Sequence, residues 1–188
     1  MKRFAELPSF ARLGVLNAVI EISAGTNMKR AYDPRIGDIV PVLSDGKPRR
    51  IEFLPYPGNY GFIPSTLMDA ARGGDGHPLD VLVLAEYVPL GTLMEVVPVA
   101  VLKLLDAGKR DDKLISVPVD PSLRLLNVHD LPDLQNRYPR VLELIEEWFT
   151  HYDAVQPARI LGWEDKAAAL AAVQAWQAPT PGIVHRQQ

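Results

Sequence analysis

No cysteine occurs among the 188 residues, which excludes a disulfide framework, a thiol nucleophile and a cysteine-zinc site, and fits a reducing, cytoplasmic setting. Long apolar runs are missing too. No stretch approaches the ~18 consecutive apolar residues of a membrane span. The basic start, MKRFAELPSFARLG, is interrupted by Glu6 and Arg12 and lacks the apolar core and small-residue cleavage site of an export signal, so a soluble, unexported chain is expected. Clustered basic residues are absent, and the net charge is -3, which counts against a nucleic-acid partner. Histidine is scarce, with four residues, and there is no Walker A loop, kinase glycine-rich loop or HExxH motif.

What the chain does have is 47% hydrophobic residues, enough over this length to bury a core in one domain, expected over residues 1–178 with a flexible tail at 179–188. Its densest feature is the stretch from Tyr56 to Leu84. Rigid Pro and Gly turns and an Asn59-Tyr60 pair come first, and then Asp75 and Asp80 flank a Gly-rich turn before the buried-strand run Val81 to Leu84. A lone aspartate in such a turn is most often only a turn former.

Further strands are expected at Ala18–Ile22, Thr92–Leu105 and Lys113–Val119, with a hairpin pairing Asp38–Val42 to Arg49–Phe53 around Ser44-Asp45-Gly46-Lys47. Glu21 interrupts the first of these runs, as a residue aimed at something specific or as the solvent-facing side of an edge strand. The loop from Asp106 to Lys113 is a second acidic strand end, which as a surface hairpin needs no function. Asp130-Leu131-Pro132 reads as a turn. Beyond it, apolar residues at helical spacing from Val141 to Tyr152 predict an amphipathic helix. A short strand, Ala158–Leu161, and a second helix, Glu164–Gln177, complete an α+β order with a strongly curved or closed sheet.

Barrel mouths gather side chains from several strand ends, which would let Glu21, Asp75, Asp80, Asp106 and Asp111 converge. Carboxylates with few histidines suit the hard cations Mg²⁺ or Mn²⁺ better than zinc. Lys29, Lys113, Tyr60 and Tyr152 beside them would suit a metal-bound phosphate.

The chain resembles the soluble family I inorganic pyrophosphatases from Glu21 to about Trp163. Asp75-Gly76-His77-Pro78-Leu79-Asp80-Val81 is similar to the family signature Asp-x-Asp-Pro-x-Asp-x with one substitution, and Tyr56 to Pro64 is similar to the segment before it. The Asp106, Asp111, Lys113 spacing and Phe149-Thr150-His151-Tyr152 also match. The resemblance implies an oligonucleotide-binding-like five-stranded closed β-barrel with flanking hairpin strands and two C-terminal helices. It further implies Mg²⁺-dependent hydrolysis of pyrophosphate by a metal-activated water, and a homohexamer. By position, Asp75, Asp80, Asp106, Asp111 and Glu21 would serve the metals. Lys29, Lys113, Tyr152 and Arg49 or Arg50 would hold phosphate, and Tyr60 would hydrogen-bond near the nucleophile.

Three positions depart from that pattern. His77 stands where the signature has its middle aspartate, Ala31 where a glutamate is expected, and Asp153 where a phosphate-binding lysine is expected. A neutral imidazole accepts a proton near pH 7 but brings no negative charge. Three readings therefore stand: an active pyrophosphatase with His77 as surrogate base, a weak or inactive paralogue that binds metal, phosphate or a partner, and a hydrolase of another phosphoanhydride.

Overall fold

Runs rich in Val, Leu and Ile become strands, and the two helical-period segments become helices laid on them. The computed structural model describes residues 3–153 and 157–178. The strands are β1 (Phe10–Arg12), β2 (Val15–Ile22), β3 (Arg30–Asp33), β4 (Asp38–Pro41), β5 (Leu43–Ser44), β6 (Lys47–Pro48), β7 (Asn59–Phe62), β8 (Asp80–Val83), β9 (Leu93–Asp106), β10 (Lys109–Arg110) and β11 (Lys113–Pro118). They are followed by helices α1 (Leu131–Arg137) and α2 (Pro139–His151), strand β12 (Arg159–Asp165) and helix α3 (Lys166–Ala175). The fold is mixed α+β with one eight-stranded sheet, ordered β1-β2-β7-β8-β11-β9-β10, with β12 also on β9. Strand β2 pairs with both β7 and β9, so neighbours followed from β2 lead back to it. Among the described residues no helix is long and apolar enough to cross a membrane.

Alternation along the strands sorts side chains into two cores. On β8, Leu82 joins a cluster with Trp148, Phe149 and Ile145 of α2, while Val81 and Val83 join Leu16, Leu114 and the α3 residues Ala169 and Val173. Trp148 and Trp176 are buried, one in each core. Asn59, fully buried in β7, accepts from the Ala24 and Val88 amides and donates to the Glu86 carbonyl, so it ties the loop after β2 to the β8–β9 connection.

Two expectations are corrected. Three helices form where two were expected, because Asp130-Leu131-Pro132 starts α1: the Asp130 carboxylate caps the Asp133 amide, and proline fits a first turn whose N–H groups lack helical partners. The hairpin is also shorter than expected. Asp38–Pro41 pairs with β3, and after β6 the chain turns to the 27–29 segment, with Lys29 N–H donating to the Arg49 carbonyl and Ile51 N–H to that of Asn27. Strand pairing there is decided by a partner distant in sequence, so Arg49 ends beside Lys29. The tail expected at 179–188 lies outside the described residues.

At Gly61 a Cβ would lie 1.8 Å from the Val19 carbonyl oxygen, a main-chain atom that cannot give way. Gly61→Ala is expected to cost at least about 3 kcal/mol in urea denaturation; a loss below about 1 kcal/mol would contradict this contact.

Candidate active site

The site is assembled by register. Parallel pairing of β8 with β11 sets Lys113 directly beside Asp80. A two-residue hairpin turn joins β9 to β10, with Ala107 and Gly108 both at positive φ, and brings Asp106 and Asp111 to the same end of the sheet. On β2 the register with β7 shifts between Ile20 and Ile22, so a bulge falls at Glu21. Bulges re-aim side chains. Its effect is visible in the core: Ile20 and Ile22, which plain alternation would set on one face, lie in different clusters.

These elements surround a cavity of about 550 Å³. The five carboxylates read from the sequence, Glu21, Asp75, Asp80, Asp106 and Asp111, all line it. So do Lys29, Lys113, Tyr60, Tyr152 and His77. Arg49 is not among the lining residues. Its Nη2 donates to Asp153 Oδ2 at 2.7 Å, while Arg50 turns away to Asn27.

Lys113 is the hub. Its ammonium, 3% exposed, donates to Asp80 Oδ2 at 2.5 Å and to Asp111 Oδ1. Burial alone would lower its pKa, but Asp80 and Asp111 raise it well above the usual lysine value, so it stays charged. Tyr60 donates its hydroxyl to the same Asp80 oxygen at 2.6 Å, and Tyr152 reaches Asp106 Oδ2 at 3.0 Å. Burial raises both phenols, which remain neutral donors. Burial, then the positive charge of Arg49, lowers Lys29.

His77 is exposed at the rim, and both its main-chain N–H and its Nδ1 lie 2.9 Å from Asp75 carboxylate oxygens. The bond to Asp75 raises its pKa; burial would raise Asp75, but the His77 bonds outweigh it and hold that carboxyl below the usual value. Glu21 accepts the Tyr32 N–H at 2.6 Å, yet burial pushes it up to about 8. Its strand β2 pairs with both β7 and β9, and Glu21 is buried, so it is not on the solvent side of an edge.

Sequence reading missed Tyr56 as a wall residue. It is 3% exposed and packs, tilted, between the Tyr60 and Trp148 rings, and its only sequence signal was its place in the Pro-Gly-rich run. Ala31 also lines the wall.

Among the described residues no three His, Asp or Glu side chains are already gathered into a cage for a metal ion; Lys113 is the positive charge between the carboxylates. The donor set is nonetheless all carboxylate oxygen with no thiolate, which fits a hard cation.

The family model for inorganic pyrophosphatase matches residues 18–180. This chain belongs to the inorganic pyrophosphatase family. It is 38% identical over 163 residues to the inorganic pyrophosphatase of Haloferax volcanii, covering 84% of this chain and 83% of that one. To that of Thermus thermophilus it is 37% identical over 171 residues, covering 86% and 87%. The crystal structure of the Thermus thermophilus enzyme aligns with a TM-score of 0.79 at 34% identity, over 96% of this chain and 99% of that one. The family is metal-dependent, and the matched span includes the cavity carboxylates and Lys113.

Because Glu21 is raised from 4.5 to about 8, the folded protein binds its proton more tightly than the unfolded chain. Its contribution is fully present below pH ~4.5 and is lost as pH rises towards 8, so metal-free stability should fall across that window. In chelator, Glu21→Gln is expected to flatten that fall, by a few kcal/mol at most, in denaturant titrations at pH 5 and 8.5; an unchanged slope would contradict it.

Proposed function

We propose that this chain is an inorganic diphosphatase that hydrolyses pyrophosphate to two phosphates with Mg²⁺, and that Mn²⁺ can replace it. The observation that carries this reading is the Lys113 hub, a buried ammonium bonded to Asp80 and Asp111 in a cavity that three further carboxylates line, in a chain of the pyrophosphatase family. Asp75, Asp80, Asp106 and Asp111 would hold the metals, with Glu21 assisting. When bound, the cations neutralise phosphoryl oxygens and lower the pKa of a water towards neutrality.

Lys29 and Lys113 offer ammonium groups to the phosphate oxygens, and Tyr152 offers a hydroxyl. Arg49 is favoured over Arg50 for the same task because its carbonyl accepts the Lys29 N–H and its charge lowers the Lys29 pKa, whereas Arg50 turns to Asn27. Tyr60 fixes Asp80. His77 is assigned the base role. An ionised Asp75 can only accept, so Nδ1 donates to it and Nε2 is left to take a proton from water.

The closed, five-stranded oligonucleotide-binding-like barrel belongs to the same reading, supported by the ring of pairings through β2, β7, β8, β11 and β9. So do one domain over residues 1–178, a cytoplasmic setting and a homohexamer. Tyr87, Leu90 and Leu93, exposed around the β8–β9 connection, give apolar surface for self-association. Nucleic acid and membrane are not partners in it.

A second reading, a weak or inactive paralogue that keeps metal and phosphate binding, is favoured by one observation: Arg49 is paired with a carboxylate instead of facing the cavity. Phosphate release separates the two. With Mg²⁺ the protein is expected to release phosphate from pyrophosphate, His77→Asp to raise the rate, and Lys113→Ala to lower kcat by ~10²–10³. No release between pH 6 and 9 with Mg²⁺, Mn²⁺ or Zn²⁺ would end the enzyme reading, and release from nucleoside triphosphates alone would reassign the substrate.

A further inference from the structure

Arg49 and Asp153 are 104 residues apart in sequence, yet they meet at 2.7 Å, each with under a third of its side chain exposed. Arg49 follows β6, and its carbonyl accepts the Lys29 N–H at 2.9 Å. Asp153 follows Tyr152, whose hydroxyl reaches Asp106. The pair thus ties the segment paired with Lys29 to the end of α2 beside Tyr152, and both Lys29 and Tyr152 line the cavity.

Among the described residues Nη2 is the only Arg49 side-chain nitrogen in a hydrogen bond, so most of a five-donor fork is unused. A guanidinium matches phosphate in a two-pronged fashion, and a partly exposed single contact to carboxylate is weak by comparison. Without an anion in the cavity, Asp153 also offsets the repulsion between Arg49 and the neighbouring Lys29, whose pKa falls through burial and then the Arg49 charge.

We propose that Asp153 is a positioning residue that latches Arg49 beside the cavity, next to Lys29 and Tyr152, and that a diphosphate must compete with it for the same guanidinium. This rests on reading the cavity as a pyrophosphate site. The latch stabilises the empty site and weakens the filled one, so substrate binds less tightly and phosphate products leave more readily.

The test measures binding of methylene diphosphonate, a non-hydrolysable P–C–P analogue, by calorimetry in Mg²⁺, alongside pyrophosphate kinetics. The proteins are wild type, Asp153→Asn, Asp153→Glu, Arg49→Ala and the Asp153→Asn/Arg49→Ala double variant. Asp153→Asn is expected to tighten analogue binding and lower KM by about threefold to tenfold, with kcat moving less than KM. Asp153→Glu should restore wild-type affinity. In the Arg49→Ala background, Asp153→Asn should have no effect. Unchanged or weaker binding by Asp153→Asn overturns the latch, and so does tightening that persists without Arg49, since Asp153 would then act through its field alone. If the binding pattern appears while no variant hydrolyses pyrophosphate, the latch stands and the enzyme reading falls. If no variant binds the analogue, both fall.

Discussion

A buried ammonium between two carboxylates is the constraint on which the rest of the structure depends. Lys113 lies almost wholly out of water, and an unpaired charge there would cost several kcal/mol. Asp111 precedes it by two residues, just before β11, whereas Asp80 opens β8 and meets it only because β8 and β11 run parallel in a register that opposes Lys113 to Asp80. The hairpin turn at Ala107-Gly108 then returns Asp111 to the same point. Tyr60, bonded to the same Asp80 oxygen, extends the network to β7. Electrostatics, register and turn chemistry therefore demand the same arrangement.

Next to Asp111, Asp112 shows how the hub is isolated. It is 1% exposed and pairs with Lys103 and Arg110, so its negative charge is balanced away from the cavity. Arg110 also donates its main-chain N–H to the Gly73 carbonyl, close to Asp75, and lies over the Trp176 ring near Arg72. The loops carrying Asp75 and Asp111 are thereby held to one another and to the end of α3.

Most of the site was legible in the sequence because its residues sit where local signals are strong. Asp80 opens an apolar run, Asp106 and Asp111 flank a Gly turn, and Tyr152 closes an amphipathic helix. Sequence could not yield what depends on distant partners. The segment expected as the hairpin's second arm, Arg49–Phe53, turns instead to Asn27–Lys29, and Asp130-Leu131-Pro132 carries the same residues whether it turns or starts a helix. The bulge at Glu21 was hidden as well, since plain alternation puts Ile20 and Ile22 on one face. Asp153 read as a charge opposed to an anion; that it has a cation of its own needed the 104-residue contact.

Gly61 carries no functional group, yet it lies opposite Ile20, one step from the Glu21 bulge and adjacent to Tyr60. The absence of a side chain there lets two main chains touch and so sets the spacing of a carboxylate and a phenol on neighbouring strands. Freedom to vary is then unevenly distributed. His77 on the cavity edge and Asp153 beside Tyr152 are partly exposed, so a substitution there alters charge without moving the frame, whereas the sheet wall admits almost no change in shape. The chemistry of this protein can drift from its rim inward, but its dimensions are held by a hydrogen atom.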